Sequence, residues 1–436
     1  MTEQPDNATS GTAATRIVVL GAGFGGIQTV RALERHCRGR KNVDITLVSR
    51  ENFFVITPLL FEACSGRLEL RHCAQPVRPA LRVSRFIEAE VESVDVDRRV
   101  VGVVTGEGVL NEIPYDYLVV ALGATTNLKM IPGAAEALTF KSVADAFVLR
   151  NQLIERFERA DATQDADRRR RLLTIVVIGG GLVGVELIGE LTAFVDDILR
   201  YYPRIKRDDL RFHLLEASPK ILPEVDRELA DASAYELSGR GVAIHLGTPV
   251  KAITAGSVQL ADETIEADTI VLAAGIVPSP AVARIAVNHD PRGRIAVDAA
   301  MRSTSHSNVW ALGDCAAIPD PEGRPYPALA QHAVREAKQL ARNVVAVLDD
   351  RQTEPFDFDA LGTMVALGHS RAVVQAFGTQ FSGFFAWWFR RTYYLFQMPL
   401  WDRRLRIVLD WTIELFFRPD ITKVDLVVDR HASTLN

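Results

Sequence analysis

The sequence predicts an α/β protein with two similar parallel-sheet units, followed by an aromatic C-terminal segment. Two stretches of the chain each read as an apolar strand, a glycine-rich turn and a helix. Their first turn glycines, Gly21 and Gly179, lie 158 positions apart, which indicates an internal duplication. In addition, residues 381–417 hold thirteen of the 33 Phe, Trp and Tyr residues.

Composition places the chain among ordinary globular proteins. It has 436 residues, of which 48% are hydrophobic and 24% charged, enough for several buried cores. A net charge of -5 argues against a nucleic-acid partner. Residues 1–15 predict a disordered tail with no secretory signal, and the absence of a long uncharged apolar run predicts no transmembrane helix. The four cysteines lack metal-ligand spacing, so we expect no metal site and no redox pair.

The repeated unit consists of a strand, a glycine turn, a helix and a second strand. In the first copy these elements are predicted at Arg16–Leu20, Gly21–Gly26, Ile27–Cys37 and Val43–Val48. In the second copy they are predicted at Leu172–Ile178, at Gly179–Gly184, in a helix through Leu191, and at Leu210–Leu215. An alternating, strand-like stretch is predicted at Ile87–Val104, and further apolar strands are predicted at Tyr117–Ala124 and Thr269–Ile276. The charged stretch Asp161–Arg171 predicts a solvated loop or a helix end whose arginines need no ligand.

Both turns carry the G-x-G-x-x-G pattern in the strand-to-helix context that dinucleotide binding requires. In the first turn, Gly21 makes the tight bend, Gly23 lets the backbone approach a pyrophosphate, and Gly26 lets helix and strand pack closely. The N-terminus of the helix that follows favours the phosphates, and we assign Phe24 and Gly25 of the turn to the same site. The corresponding residues of the second turn are Gly179, Gly181 and Gly184. The pair of motifs predicts two Rossmann-like dinucleotide-binding domains.

The residue that closes each second strand discriminates between nucleotides. Glu216 ends the strand of the second copy, where a carboxylate accepts hydrogen bonds from ribose hydroxyls and repels a 2′-phosphate. It therefore predicts NADH rather than NADPH. The first copy has Ser49 at this place, followed by Arg50. A serine can still hydrogen-bond a ribose, and an arginine can stack on adenine or meet phosphate.

A later short strand ends in Gly313-Asp314 before small residues. This pattern resembles that of two-dinucleotide-binding flavoproteins, in which such an aspartate contacts the ribityl and phosphate region of the flavin. The resemblance implies FAD in the first unit and NADH in the second. The apolar strands nearby add Val91 and Gly123 to the FAD residues and Gly275 to the NADH residues.

The whole chain, over residues 15–428, resembles the type II NADH:quinone oxidoreductases. The residues that carry this resemblance are Phe53–Phe61, Gly184–Glu190, Ala330-Gln331 and Phe381–Trp387. The resemblance implies that Thr57 and Pro58 lie by the flavin, Glu186 in the nicotinamide region, and Ala330-Gln331 at a quinone site. The family motif continues to a second Gln where this chain has Arg335.

Two of these residues are predicted to be catalytic. Glu186 can hydrogen-bond the nicotinamide amide or relay protons, although an acid near a helix N-terminus is also stabilised by the dipole alone. Gln331 both donates and accepts hydrogen bonds, which suits a quinone carbonyl, and a helix cap is the alternative. The neighbouring His332 is expected to be structural.

The C-terminal stretch predicts two helices, Gly383–Gln397 and Arg403–Phe417, lying flat on a membrane. Tryptophans and tyrosines favour the headgroup level, and we expect interleaved arginines such as Arg390 and Arg391 to snorkel towards anionic lipid. In the second helix, Ile407, Val408, Trp411 and Leu415 share one face, and Arg406, Asp410 and Glu414 share another. A dimerisation surface or an ordinary core helix pair is the alternative.

These inferences define one hypothesis for the chain. Its domains are an FAD-binding domain in two parts, an NADH-binding domain and a membrane-associating domain, at residues 15–130 with 277–350, 131–276 and 351–436. Hydride passes from NADH to FAD N5, and two electrons then pass to a membrane quinone without proton pumping. The resemblance implies a monotopic homodimer, which we expect at the cytoplasmic face of the cell membrane. A ferredoxin-reductase-like flavoprotein and a redox-sensing flavoprotein scaffold are the alternatives.

Overall fold

The structure is a computed structural model, and it describes residues 14–358, 362–376, 378–398, 400–418 and 420–424. The helices in these ranges are α1 (Phe24–His36), α2 (Leu60–Cys64), α3 (Leu70–Cys73), α4 (Val143–Ala162), α5 (Ala166–Leu172), α6 (Leu182–Ile198), α7 (Arg227–Gly239), α8 (Ala330–Leu348), α9 (Phe384–Gln397) and α10 (Trp401–Glu414).

The strands of the first half are β1 (Thr15–Leu20), β2 (Val43–Ser49), β3 (Phe53–Val55), β4 (Ala74–Pro76), β5 (Arg85–Glu88), β6 (Glu90–Asp95), β7 (Val100–Val104), β8 (Leu110–Pro114), β9 (Tyr117–Val120), β10 (Ala124–Thr126), β11 (Leu138–Thr139), β12 (Thr174–Ile178) and β13 (Arg211–Leu215). Those of the second half are β14 (Val242–His245), β15 (Ala252–Thr254), β16 (Ser257–Gln259), β17 (Thr264–Glu266), β18 (Thr269–Leu272), β19 (Ile276–Pro278), β20 (Ile295–Ala296), β21 (Val309–Ala311), β22 (Ala316–Ala317), β23 (Gly362–Ala366), β24 (Ala372–Ala376) and β25 (Thr379–Ser382).

The described residues group into two compact units. The first unit comprises residues 14–54, 76–125 and 277–358, and the second comprises 55–75, 126–276 and 362–424. Of the tail predicted for residues 1–15, residues 1–13 lie outside the described residues. Thr15, which the sequence analysis placed in that tail, is instead the first residue of β1.

A five-stranded parallel sheet, in the order β21-β9-β1-β2-β5, forms the centre of the first unit. Its central strand β1 is fully buried from Ile17 to Leu20, as its uninterrupted apolar sequence predicts. Helices α1 and α8 pack against each other in the same unit. A separate antiparallel sheet, β6-β7-β8, accounts for the alternating sequence predicted within Ile87–Val104.

The second unit repeats this arrangement with the parallel sheet β11-β18-β12-β13-β14. The antiparallel sheet β15-β16-β17 packs its apolar residues against Val176, Ile178 and Leu215 of the parallel sheet. A further antiparallel sheet, β23-β24-β25, carries Ala372 and Val374, which pack against Trp387 of α9.

Several predicted boundaries were wrong by part of an element. Helix α1 begins at Phe24 rather than Ile27, and α6 continues past Leu191 to Ile198. The stretch Asp161–Arg171 contains the end of α4 and a short helix, α5. Its arginines contact carboxylates or backbone carbonyls, as expected for side chains that need no ligand.

Candidate functional site

The first glycine turn has the geometry of a dinucleotide cradle. Gly21 has a φ of +95°, and a Cβ atom there would overlap the carbonyl oxygen of Ala121. A Cβ atom at Gly26 would overlap the carbonyl oxygen of Gly21. Gly23, the N-cap of α1, differs from both because no heavy atom lies within 4 Å of its Cβ position. The space beside this helix N-terminus therefore suits a pyrophosphate.

The second turn repeats this geometry residue by residue. Gly179 has a φ of +111°, and a Cβ atom at Gly184 would overlap its carbonyl oxygen. Gly181 is the N-cap of α6, and the nearest heavy atom to its Cβ position is a Glu224 carboxylate oxygen at 3.5 Å. Each unit thus fits one dinucleotide at a helix N-terminus.

The strand ends beside the two turns differ in chemistry. Glu216 accepts hydrogen bonds from the Gly180 amide at 2.6 Å and the Ser218 amide at 2.7 Å, so its carboxylate is fixed next to the second turn. Ser49 closes β2 in the first unit. Arg50, which the sequence offered as an adenine or phosphate contact, is exposed and pairs with Glu51 at 3.3 Å.

The turn that carries Asp314 rests on a buried carboxylate that the sequence analysis missed. Gly313 has a φ of +70°, and its amide donates to Glu336 Oε2 at 2.8 Å. Burial raises the pKa of Glu336 to about 7, the Gly313 amide opposes that rise, and the nearby Asp314 carboxylate adds to it. Glu336 falls on the same face of α8 as the buried residues Ala333, Ala337 and Leu340. An acid within an apolar helix face was the signal available in the sequence.

The other residues predicted to contact nucleotides lie near the ends of strands or in turns. Val91 is buried in β6, and its carbonyl oxygen accepts a hydrogen bond from Arg284 at 3.1 Å. Gly123 and Gly275 both have positive φ values, +64° and +68°, directly after apolar strands. Their left-handed local conformations favour glycine.

The predicted quinone residues of the first unit lie in the first turns of α8. Ala330 and Gln331 are the first two residues of this helix, and both are partly exposed. Arg335 donates from Nη1 to the Gln331 carbonyl oxygen at 2.9 Å, and its guanidinium carbon lies 4.2 Å from the ring centroid of Phe358. His332 is buried against Tyr326 and Phe358, in keeping with the structural role expected for it.

In the second unit, Glu186 and Pro58 meet through an arginine. Glu186 is buried in α6. Its Oε1 accepts a hydrogen bond from the Ala366 amide at 2.9 Å, and its Oε2 accepts one from Arg390 Nη2 at 3.0 Å. The same Nη2 donates to the Pro58 carbonyl oxygen at 3.3 Å, one residue beyond Thr57. Glu186 lies beyond the first turn of α6, so Arg390 and the Ala366 amide, rather than the helix dipole alone, stabilise its charge.

The expectation that Arg390 and Arg391 reach outward to lipid is wrong. Both side chains are buried, and Arg391 pairs with Glu62 at 2.9 Å and Glu414 at 2.8 Å. Glu414 also contacts Arg67 at 2.9 Å. Of the polar face predicted for α10, Glu414 points into the protein, because the buried cations Arg67 and Arg391 require carboxylate partners, whereas Arg406 is exposed.

The aromatic face of α9 and α10 is exposed instead. Phe385, Trp388, Trp401 and Phe416 expose 76%, 57%, 75% and 78% of their surface. Leu405, Leu409 and Ile413 continue the exposed row along α10 at helical spacing. Of the face predicted to be apolar, Ile407 is buried whereas Val408 and Leu415 are exposed. We call the exposed set the aromatic face.

Among the described residues, no helix is both long and apolar enough to cross a bilayer. All four cysteines are buried and unpaired thiols. Burial raises the pKa of Cys73 and Cys315, the latter to about 12, which leaves them poor nucleophiles.

Comparison with known proteins identifies the family. Residues 15–337 match the pyridine nucleotide-disulphide oxidoreductase family. The chain is 31% identical to a probable NADH dehydrogenase of Dictyostelium discoideum, covering 93% of this chain and 91% of that protein. It is 30% identical to the type II NADH:quinone oxidoreductase of Mycobacterium tuberculosis, covering 91% and 87%. The chain belongs to the type II NADH:quinone oxidoreductases.

The fold is shared with a solved structure. The NDH2 protein of Plasmodium falciparum, solved in complex with NADH, superposes with a TM-score of 0.86 at 18% identity, covering 94% of this chain and 100% of that one. The predicted two-dinucleotide-binding flavoprotein fold is confirmed. Membership also confirms the predicted oxidoreductase class and activity, with FAD and NADH as cofactors.

Proposed function

We propose that this type II enzyme oxidises NADH and reduces a quinone drawn from a membrane to which its aromatic face binds. The observation that carries the proposal is the pair of glycine turns whose middle glycines, Gly23 and Gly181, stand at helix N-termini without a close protein contact at their Cβ positions. FAD, when bound, accepts a hydride at N5 from NADH and passes two electrons to the quinone. The protein's part is to hold both nucleotides and to place protons.

In the first unit, the turn from Gly21 to Gly26, with Phe24 and Gly25, holds the FAD pyrophosphate. Asp314 orients the ribityl chain, with Val91 and Gly123 beside the cofactor. Ser49 takes the ribose contact, and the exposed Arg50, which pairs with Glu51, meets the adenine or the phosphates. Glu336 fixes the Gly313-Asp314 turn from behind.

In the second unit, Gly179, Gly181 and Gly184 hold the NADH pyrophosphate, and Gly275 completes the site. Glu216 selects NADH over NADPH. Two backbone amides hold its carboxylate beside the turn, where it accepts from ribose hydroxyls and repels a 2′-phosphate.

Glu186 and Gln331 are the catalytic residues of the proposal. Burial raises the pKa of Glu186, so this carboxyl can hold and release a proton nearer to neutral pH than an exposed one. In the first unit, Gln331 hydrogen-bonds a quinone carbonyl, with Ala330 beside it at the head of α8. In the second unit, Thr57 and Pro58 are the residues assigned to quinone binding. Arg335, folded onto Phe358, sets the charge at the head of α8.

The aromatic face binds the bilayer surface, which we place at the cytoplasmic side of the cell membrane. Trp388 and Trp401 are exposed while Arg390, Arg391 and Glu414 of the same helices form ion pairs inside the protein, an arrangement opposite to that of a soluble amphipathic helix. A homodimer is the expected assembly.

The activity is tested with the purified full chain in detergent. We expect a bound-flavin spectrum that bleaches with NADH, faster than with NADPH, and recovers with a short-chain quinone. Gly181→Val should retain FAD and lose the bleaching by NADH. Unchanged bleaching in this variant would contradict the assignment of the second turn to NADH. If a ferredoxin but not a quinone restored the flavin absorbance, the ferredoxin-reductase alternative would be favoured.

Membrane binding is tested separately by flotation with phosphatidylglycerol-containing vesicles. We expect the wild type to float and a Phe385→Ser, Trp388→Ser, Phe416→Ser variant to remain in solution with its flavin. Loss of a dimer in this variant, with no flotation of either protein, would assign the face to a second copy of the chain.

A further inference from the structure

Helix α9 has two faces with opposite chemistry. Its outer face carries Phe385 and Trp388, whereas the side chain of Arg390 is 2% exposed. A guanidinium removed from water to this degree costs several kcal/mol unless charged and polar partners compensate for it. The partners of Arg390 therefore show what this arginine does.

Those partners belong to the proposed site. Arg390 Nη2 lies 3.0 Å from Glu186 Oε2 and 3.3 Å from the Pro58 carbonyl oxygen. Its guanidinium carbon lies 5.0 Å from the ring centroid of Tyr394. One residue of the surface helix thus contacts a proposed catalytic acid and the segment assigned to the quinone site.

The charge on Glu186 depends on few neighbours. Burial raises the pKa of this carboxyl, while Arg390 and the Ala366 amide oppose the rise. Glu190, on the same helix, adds to the rise, and Tyr394 of α9 interacts electrostatically with both members of the pair. Glu62 of α2 acts on Arg390, and β23, which supplies the Ala366 amide, carries no titratable side chain. Arg390 is therefore the cation that opposes protonation of Glu186.

We propose that Arg390 is a positioning residue that keeps Glu186 ionised in a single orientation, so that the charge of the catalytic acid depends on the seating of α9. This inference rests on the proposed catalytic role of Glu186. It makes α9 a link between the face that binds the bilayer and the proton chemistry of the site.

The test compares two arginines of one helix in the full FAD-loaded chain. Arg390→Gln removes the partner of Glu186, whereas the control Arg391→Gln removes an equally buried cation that pairs with Glu62 and Glu414. We expect Arg390→Gln to raise the apparent pKa in the pH profile of flavin reduction and reoxidation by about one to three units. Arg390→Lys should restore most of the profile, and Arg391→Gln should leave the pKa in place. Equal profiles for the two glutamine variants would overturn the inference.

A second readout does not depend on turnover. In oxidised protein at neutral pH, Arg390→Gln should show more infrared absorption from protonated carboxyl groups than the wild type, in which Glu336 already contributes, and this increase should be missing from Glu186→Gln/Arg390→Gln. If Arg390→Gln fails to accumulate, the double variant, which removes both charges, should regain folding. A double variant that folds no better than Arg390→Gln contradicts the pairing.

Glu186→Gln separates the two levels of the argument. A wild-type pH profile in Glu186→Gln would overturn the catalytic role of Glu186 and the inference with it. A changed profile in Glu186→Gln, together with a wild-type profile in Arg390→Gln, would overturn the inference alone.

Discussion

The two nucleotide-binding units have the same backbone conformation at their glycine turns, but their buried carboxylates have different partners. In the first unit, Glu336 accepts a hydrogen bond from the Gly313 amide in the turn that carries Asp314, and burial raises the pKa of Glu336 to about 7. In the second unit, Glu186 faces the guanidinium of Arg390. The glycine turns are repeated nearly residue for residue, so the backbone determines where a dinucleotide binds. The side chains behind each turn determine what chemistry follows.

The largest expected effect is a loss of stability in variants that disturb the backbone conformation common to both glycine turns. In Gly26→Ala and Gly184→Ala, the added Cβ would overlap the carbonyl oxygen of Gly21 or Gly179, a backbone atom with no room to shift. We expect about 3 kcal/mol or more of destabilisation in each unit, or failure to fold. Thermal unfolding measures it, and near-wild-type stability in both variants would contradict the packing role of these glycines.

The next effect separates the two buried carboxylates by pH. The folded-state pKa of Glu336 is about 7 and the ordinary value is 4.5, so the folded state holds the extra proton between these values. The contribution of this group to stability therefore falls as pH rises through this window, by about 3 kcal/mol in total. Glu336→Gln keeps a hydrogen-bond acceptor for the Gly313 amide but cannot titrate, so its stability should lack this decrease with rising pH. Urea unfolding at pH 5 and pH 8 tests it, and parallel pH dependences in wild type and variant would refute it.

A ligand-specific effect sharpens the comparison of the turns. The Cβ position of Gly23 is free of protein atoms, so Gly23→Ala should keep its stability yet bind FAD at least about tenfold more weakly, as the methyl group meets the pyrophosphate. Gly181→Ala should bind FAD normally and lose NADH affinity instead. Titration of each nucleotide measures both, and a loss of the same nucleotide in both variants would refute separate sites.

The smallest effect concerns nucleotide choice. Glu216→Gln removes the charge that repels a 2′-phosphate, and we expect the NADH preference over NADPH to fall about tenfold. Glu224→Gln, which removes a carboxylate near Gly181 without altering the strand end, is the matched control. Equal changes in the two variants would show that general charge, not the strand end, sets the preference.

The sequence pattern predicted the structure correctly where the local backbone geometry permits only certain residues. The central strands β1 and β12, both glycine turns and the position of Glu216 follow from apolar runs and from glycines that alone fit a left-handed or close-packed backbone. The antiparallel sheet of β23, β24 and β25 was not foreseen. Its strands are short and pack against α9, and such long-range packing leaves little periodic trace.

By itself, the sequence determined the duplicated nucleotide-binding fold, the family and the two cofactors, because these depend on residues close together in the chain. Only the tertiary structure decided the direction in which each side of α9 and α10 faces. Arg390 meets Glu186, and Arg391 meets Glu62 and Glu414, across long stretches of chain. Helical spacing shows that charges and aromatics occupy different faces. Which face is buried depends on the partner carboxylates that folding brings to it.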